Sequence, residues 1–436
     1  MPAGETQFRR SCPLPCRWLL TSTLCQGASK PRRARVCPTS SADETSPKRQ
    51  TSGRPALCSR APLWHDVVMK TYLVGGAVRD ILLGQAPVEL DYAVDGDDAA
   101  FLATHPDAAR VGKSVQVCLW HGCEFMPLRG GSLPADLAAR DLSVNALALD
   151  AGGHVHAHAR TLADLERRLL RPASPDAFRK DPLRLFRLAR FACRHPDWQL
   201  HPDCLRLAAE VPESALAAIP AERVGRELLK ALALPCPGRF LEVLEQLHLW
   251  RPWFTELEAI ARIPAGPVRW HSGSVLQHTV RVMNAVAGNS LAVWMAFCHD
   301  LGKLLTPEEE LPHHYGHEQR GLALVRLLAK RLHLPVRREK AGLLACELHM
   351  KAGLYDRLRP GTRRDVLWTV ATRGLMKEFW SVVDADSKQD ISSKALEDTA
   401  LLRTIGLPPQ WQNKGAESAR KLRELHCQAL VGSRSA

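Results

Sequence analysis

Glu89 and Asp91 stand one residue apart behind a glycine pair, Gly75 and Gly76, and these four residues are the best suited to chemistry in the chain. The glycines follow the apolar run Tyr72-Leu73-Val74 and precede Ala77-Val78-Arg79-Asp80-Ile81-Leu82, a pattern of buried strand, tight turn and helix start. Glycine lets backbone approach a phosphate closely, and the N–H groups that open a helix can bind its oxygens. Carboxylates at i and i+2 of a strand share a face, where they can hold a divalent cation. A phosphate cradle beside two carboxylates suits transfer of a nucleotide from a triphosphate. Taken alone, a Glu-x-Asp more often merely ends a turn; the glycine signature before it favours the metal reading.

A second set of candidates lies far downstream. His278 falls in a helix-like segment, His299-Asp300 ends the apolar stretch Leu291–Cys298, and Asp386 follows much later. Imidazole nitrogen with carboxylate oxygen suits a transition metal or magnesium without choosing between them. Adjacent His and Asp can reach one ion only where a helix surface and the next turn converge, and Gly302 is placed to provide that turn. Lys303 could contact a phosphate. His271, His313, His314 and His317 are further candidates, which a polar loop explains as easily.

The elements needed to position these groups can be read coarsely. Strand-like pieces recur at Thr71–Val74, Leu90–Val94, Val115–Leu119 and Leu147–Leu149, with short helices between them. After about Leu162 the spacing turns helical, as at Leu183, Phe186, Ala189 and Arg190, then in Val224–Leu234 and Phe240–Leu247. Pro235-Cys236-Pro237-Gly238 and Ile263-Pro264-Ala265-Gly266-Pro267 break the run as loops. A further helical block spans about Gly273 to Asp390. The expected class is α+β: a small mixed-sheet head, an all-helical neck and body, and a second helical domain. The expected boundaries are 69–165, 166–265 and 266–400, with a tail over 401–436.

The chain has 436 residues and a formal net charge of +13, of which +7 falls in residues 1–68. The remainder is mildly basic, compatible with a local RNA-binding patch but weak as evidence for one. Residues 1–68 are rich in Pro, Ser, Arg and Cys and lack sustained periodicity. They read as a flexible or targeting extension or as sequence upstream of a start at Met69, and we expect the latter. No apolar run has transmembrane length, so no membrane partner is expected. Of the 13 cysteines, eight lie beyond residue 68 without paired metal-ligand spacing, as for free thiols in a reducing cytoplasm.

Gly75-Gly76-Ala77-Val78-Arg79-Asp80 resembles the signature of the CCA-adding tRNA nucleotidyltransferases and bacterial poly(A) polymerases, of the polymerase-β superfamily. Arg140-Asp141-Leu142-Ser143-Val144-Asn145-Ala146 resembles the family's sugar- and triphosphate-binding motif. Asp181-Pro182-Leu183-Arg184 resembles its nucleotide-selecting motif, and Glu222-Arg223-Val224-Gly225-Arg226-Glu227 the helix after it. His-Asp-Leu-Gly-Lys at 299–303, with His278 and Asp386, resembles an HD phosphohydrolase domain, as in the bacterial CCA-adding enzymes that carry one.

The resemblance implies magnesium held by Glu89 and Asp91 as catalytic ligands, the family usually having Asp at both positions. It implies nucleotide binding by Gly76, Arg79, Arg140, Asp141, Asn145, Asp181 and Arg184. Asp181 and Arg184 supply one acceptor and one donor, matching the edge that cytosine and adenine share and mismatching uracil and guanine. Asp181-Pro182 is also a good helix start. Arg184, Arg187 and Arg190 form an i, i+3, i+6 row that reads as a triphosphate or RNA contact or as a solvated helix face. Lys180 stands where the family commonly has Glu. Glu124, on a candidate strand with Arg129, is a possible third carboxylate.

The implied function is addition of C and A to tRNA 3′ ends from CTP and ATP, by a cytoplasmic monomer or homodimer. An accessory phosphatase or 2′,3′-cyclic phosphodiesterase is implied for the HD domain, with His278, His299, Asp300 and Asp386 holding nickel, manganese or magnesium. The segment between Arg129 and Arg140 is shorter than the flexible loop usual there. A CC-adding enzyme, a poly(A) polymerase, or an HD phosphohydrolase with a degenerate head are therefore the alternatives.

Overall fold

The computed structural model describes residues 69–112, 117–269 and 273–432. Residues 1–68, the start of the expected Val115 strand and His271 lie outside them. The described chain divides into two units. The first is residues 69–133 with Ala148–Ala159, and the second is Pro134–Leu147 with residues 160–432.

The first unit is built on a seven-stranded mixed sheet: β1 (Thr71–Val74), β2 (Asp91–Val94), β3 (Ala109–Val111), β4 (Val117–Trp120), β5 (Cys123–Pro127), β6 (Leu147–Leu149) and β7 (Val155–Ala157), in the order β3-β4-β5-β2-β1-β6-β7. The central strands β1 and β2 carry the apolar runs Leu73-Val74 and Tyr92-Ala93-Val94, all buried. Helix α1 (Gly76–Leu82) follows β1, and α2 (Asp98–Thr104) follows β2, its first turn capped by the Asp97 carboxylate at 2.8 Å from the Ala100 N–H. Tyr92 stacks on Phe125, and Phe125 on Phe101, with ring centroids 4.7 and 4.8 Å apart. This aromatic layer joins α2 to the sheet and fixes the β2–β5 pair.

The second unit is helical apart from the short parallel pair β8 (Leu169–Leu170) and β9 (Gln199–Leu200). It opens with α3 (Leu133–Ala138, of which Leu133 falls in the first unit) and continues with α4 (Thr161–Glu166), α5 (Ala177–Lys180), α6 (Leu183–Arg194), α7 (Pro202–Ala209), α8 (Glu213–Ala217), α9 (Ala221–Ala231) and α10 (Arg239–Gln246). The spacing predicted at Leu183, Phe186 and Ala189 is the buried face of α6, which packs on α9 and α10. Then come α11 (Val275–Ala285), α12 (Ser290–Cys298), α13 (His317–Arg331), α14 (Val336–Gly353), α15 (Pro360–Thr372), α16 (Met376–Ser387), α17 (Ser392–Thr404) and α18 (Ala416–Gly432).

Helix α12 is buried from Leu291 to Cys298 on every side, so it is the central rod of this block. Asn289 caps it through Oδ1, and a reciprocal Ser274–Gln277 capping box starts α11. These caps set where His299 and His278 fall. The loop expected between Arg129 and Arg140 is instead a 3₁₀ turn at Arg129–Gly131 followed by α3. Among the described residues, no helix is long and apolar enough to cross a membrane.

Candidate functional sites

In the first unit, β1 ends at Val74 because Gly75 turns the chain at φ +74°, in the left-handed region glycine tolerates. Val74 pairs with Asp91, so β2 begins at Asp91 and not at Leu90. Glu89 therefore does not sit on the strand with Asp91, as the sequence reading held. With β1 turned away, Glu89 lacks a ladder partner there and lies exposed in the loop before β2. The in-register neighbour of Asp91 is Glu124, directly across the parallel β2–β5 pair. Residues level on adjacent strands project from the same face, so the sheet brings Asp91 together with Glu124. Arg79 is buried on α1, its Nη2 2.7 Å from the Asp80 carboxylate. Gly76 is the first residue of α1, and a Cβ there would meet the Arg79 guanidinium at 3.4 Å.

In the second unit, the segment Pro134–Leu147 carries the Arg140–Asn145 motif and is tied to α6 by charge. Arg187 holds the Asp141 carboxylate at 2.7 Å, and the Asn145 amide donates to its other oxygen at 2.9 Å. Burial alone would raise the Asp141 carboxyl, yet Arg187, Asn145 and the Leu142 N–H hold it well below the usual carboxylate range. Arg140 is buried against Asp136, with Nε 3.0 Å from its carboxylate. Arg184 donates to the main-chain carbonyls of Ala139 at 2.7 Å, Arg140 at 3.1 Å and Ala177 at 3.3 Å.

Asp181 caps α6 through the Leu183 N–H at 3.2 Å, and its second oxygen lies 3.5 Å from Arg223 on α9. Asp181 and Arg184 thus face different partners, and the Asp181 carboxylate keeps about a third of its surface, 34%, exposed. The row of three arginines is not a plain solvated face. Arg184 braces main chain, Arg187 pairs with Asp141 and Arg190 pairs with buried Glu227 at 2.5 Å. Arg223 and Glu227 come from the motif at Glu222–Glu227, but nothing in its pattern singles them out as partners of Asp181 and Arg190.

Farther along the same unit, α11, α12, α13, α14 and α16 converge on Asp300. His278 Nε2 lies 3.1 Å from both Asp300 Oδ2 and Asp386 Oδ1, and 3.1 Å from His299 Nε2. His299 Nε2 is 3.2 Å from Asp300 Oδ2. Arg281, donating to the Ala385 carbonyl at 2.8 Å, ties α11 to α16 and so sets Asp386 beside His278. The four residues gathered from the sequence are therefore one cluster.

Lys303 is buried, its ammonium 2.7 Å from Asp300 Oδ2 and 2.8 Å from the Ala265 carbonyl. Burial would raise the Asp300 carboxyl, but the neighbouring His299 and Lys303 charges hold it well below its ordinary value. The donor set fits a divalent ion: His278, His299 and Asp300 offer atoms within 4.8 Å of one another, all three residues buried. A second set shares Asp300. His317, the first residue of α13, and His349, on α14, bring Nε2 to 3.2 and 3.3 Å from Asp300 Oδ1.

His317 was one of several loop candidates in the sequence, and His349 gave no signal beyond being a histidine in a long helix. His314 serves elsewhere, contacting the Thr306 hydroxyl and the Pro264 carbonyl at 2.8 Å, and His313 stacks on Tyr315. Gly302 is not a left-handed turn. A Cβ on it would lie 1.8 Å from the His317 carbonyl oxygen, so its task is close approach of two backbones.

Residues 71–118 match the family described as "Poly A polymerase head domain" and residues 201–260 that described as "Probable RNA and SrmB- binding site of polymerase A". The chain is 36% identical over 360 residues to a "Multifunctional CCA protein" of Haemophilus influenzae (strain PittGG), spanning 73% of this chain and 85% of the relative. It is 36% identical over 322 residues to one from Halorhodospira halophila (strain DSM 244 / SL1), spanning 67% and 77%. Among solved structures, a "Thermotoga maritima CCA-adding enzyme complexed with tRNA_CCA" has TM-score 0.59 at 17% identity, covering 84% of this chain and 88% of that one. "The complex structure of CCA-adding enzyme with ATP" has TM-score 0.58 at 17% identity, covering 83% and 87%. At such identities these two speak for the fold, whereas the curated relatives speak for the family. The chain belongs to the multifunctional CCA protein family of nucleotidyltransferases.

Proposed function

We propose that this chain adds C and A nucleotides to the 3′ ends of tRNA from CTP and ATP, and that its second cluster hydrolyses phosphate esters at RNA ends. The observation that carries the first part is the in-register pair Asp91 and Glu124 beside the Gly75 turn. Two carboxylates on one sheet face suit a magnesium ion, which when bound offsets charge on the triphosphate and activates the 3′-hydroxyl. Glu89, exposed in the loop two residues before Asp91, is a further candidate ligand. Asp181 and Arg184 are the candidates for reading the base. Arg140, Asp141 and Asn145, in a charge-fixed segment, are the candidates for binding the sugar and triphosphate.

The hydrolase part rests on the buried His278, His299 and Asp300 with Asp386. A divalent ion there would supply Lewis acidity toward a phosphoryl oxygen and an activated water. Asp386 is the most open ligand candidate, with 23% of its side chain exposed, so substrate approach is from its side.

Incubating the chain with tRNA lacking CCA, and with tRNA lacking only the final A, in CTP or ATP separately tests the first part. Asp91→Ala should abolish incorporation of both nucleotides while leaving the circular dichroism spectrum unchanged. Full incorporation by that variant would refute the assignment. Hydrolysis of 2′,3′-cyclic nucleotides or phosphomonoesters by metal-replenished protein, lost in His299→Ala, tests the second.

A further inference from the structure

We propose that the β6–β7 hairpin carries a further metal site, in which Asp150, His154 and His156 chelate one transition cation of the Zn²⁺, Ni²⁺ or Cu²⁺ class. It uses none of the residues assigned to the two centres above and goes beyond both readings.

Histidines recur at alternate positions, His154, His156 and His158, along and beside the edge strand β7. Side chains two residues apart on a strand share a face, so this spacing gathers imidazoles on one side. The contacts of the first two agree with it. His154 Nδ1 lies 3.3 Å from Asp150 Oδ1, and His156 Nε2 lies 2.9 Å from Asp150 Oδ2. One carboxylate thus receives two imidazoles, one at each oxygen.

The turn is shaped for this meeting. Gly153 reverses the chain at φ +79°, its N–H donating to the Asp150 carbonyl at 3.0 Å, and the His154 N–H donates to Asp150 Oδ1 at 2.8 Å. A Cβ on Gly152 would lie 2.9 Å from His154 Nδ1 and 3.3 Å from Asp150 Oδ1, so only glycine leaves room for the pair. On the other side Tyr72, from β1, meets the His156 ring edge-on with centroids 5.9 Å apart and limits its orientation.

Two other exposed histidines stand beside a single carboxylate: His121 near Asp107 at 3.8 Å and His333 near Glu222 at 2.7 Å. Each of those is an ordinary surface pair with one imidazole. Two imidazoles and a carboxylate form a three-ligand set, and nitrogen donors favour zinc, nickel or copper over magnesium or calcium. Nitrogen–oxygen separations of about 3 Å are also those of neighbouring ligands at bond lengths of about 2.1 Å. The rings straddle the carboxylate, so closing on one ion requires His154 to swing inward. Its side chain is 79% exposed and free to turn. A bound ion would clip the start of β7 to the turn, and β6 pairs with β1 through Ala148 and Val74, just before Gly75.

The test is carbethoxylation of the full chain by diethyl pyrocarbonate across a titration of free Zn²⁺, with each histidine followed by peptide mass spectrometry. His154 and His156 should lose reactivity together, at one midpoint, several-fold below the Zn²⁺ concentration that shields His121 or His333. Asp150→Asn should raise that shared midpoint several-fold, and His154→Ala should make His156 behave like His333. Each histidine is read at its own position, so zinc taken up at Asp300 does not enter the comparison. Shielding of His154 and His156 only at the concentrations that shield His121 and His333, or at two separate midpoints, overturns the chelate. A midpoint unmoved by Asp150→Asn overturns it as well.

Discussion

At the scale of single residues, the arginines show how a motif is spent. Arg187 neutralises a buried carboxylate, and Arg184 fastens the backbone on either side of Ala139 and Arg140. A residue carried over from a family motif as a ligand contact can thus first be a brace for the segment that makes the contact. The Asp141 pair has a pH signature. Its folded carboxyl is depressed, so its stabilisation is present above the unfolded value of about 3.9 and is lost as pH falls below it. Asp141→Asn should therefore be destabilised at neutral pH, with the gap to wild type closing below about pH 3 in urea melts. A gap independent of pH would contradict the ionised pair. The sequence pointed to Asp91, Asp181 and Asp300 because each sits in a motif of short span. It named Glu124 only by its order along the chain and hid the partnerships of Arg223, Glu227 and His349, because these depend on strand register or helix packing across long separations.

At the scale of elements, caps and close approaches decide where the ligands fall. Periodicity alone located α6, α9 and α10, whose apolar faces repeat every three to four residues. It mistook the start of β2 by one residue, because a strand's end depends on the neighbour that leaves it. Helix α13 lies so close to the 3₁₀ turn after Asp300 that Gly302 touches the His317 carbonyl region and Gly321 faces Gly302. Gly302→Ala must push α13 outward, carrying His317 with it. We expect a loss of about 1–3 kcal/mol in stability and a larger loss of metal retention, read by thermal melts with and without Mn²⁺. A gain in melting temperature on adding Mn²⁺ as large as that of the wild type would show that the site around Asp300 had kept its shape.

At the scale of the whole molecule, the α+β class followed from the change of period near Leu162, but the interleaving of the units did not. Segment Pro134–Leu147 belongs with the helices although sheet strands precede and follow it. A fragment of residues 69–165 would keep Asp141 while removing Arg184 and Arg187, its fasteners. Hydrogen exchange should then find the amides of residues 139–145 unprotected in the fragment and protected in the full chain. Protection retained in the fragment would place the support of that segment elsewhere.

The interleaving carries a further consequence for how the protein comes apart. The backbone passes from one unit to the other at residues 133–134, 147–148 and 159–160. Of these, 133–134 lies in α3 and 147–148 in a buried strand, whereas Ala159 and Arg160 are exposed. A chain cut at 159–160 is held together only by the packing of Pro134–Leu147 among the helices, so it migrates as fragments under denaturing conditions yet elutes as an intact particle under native ones.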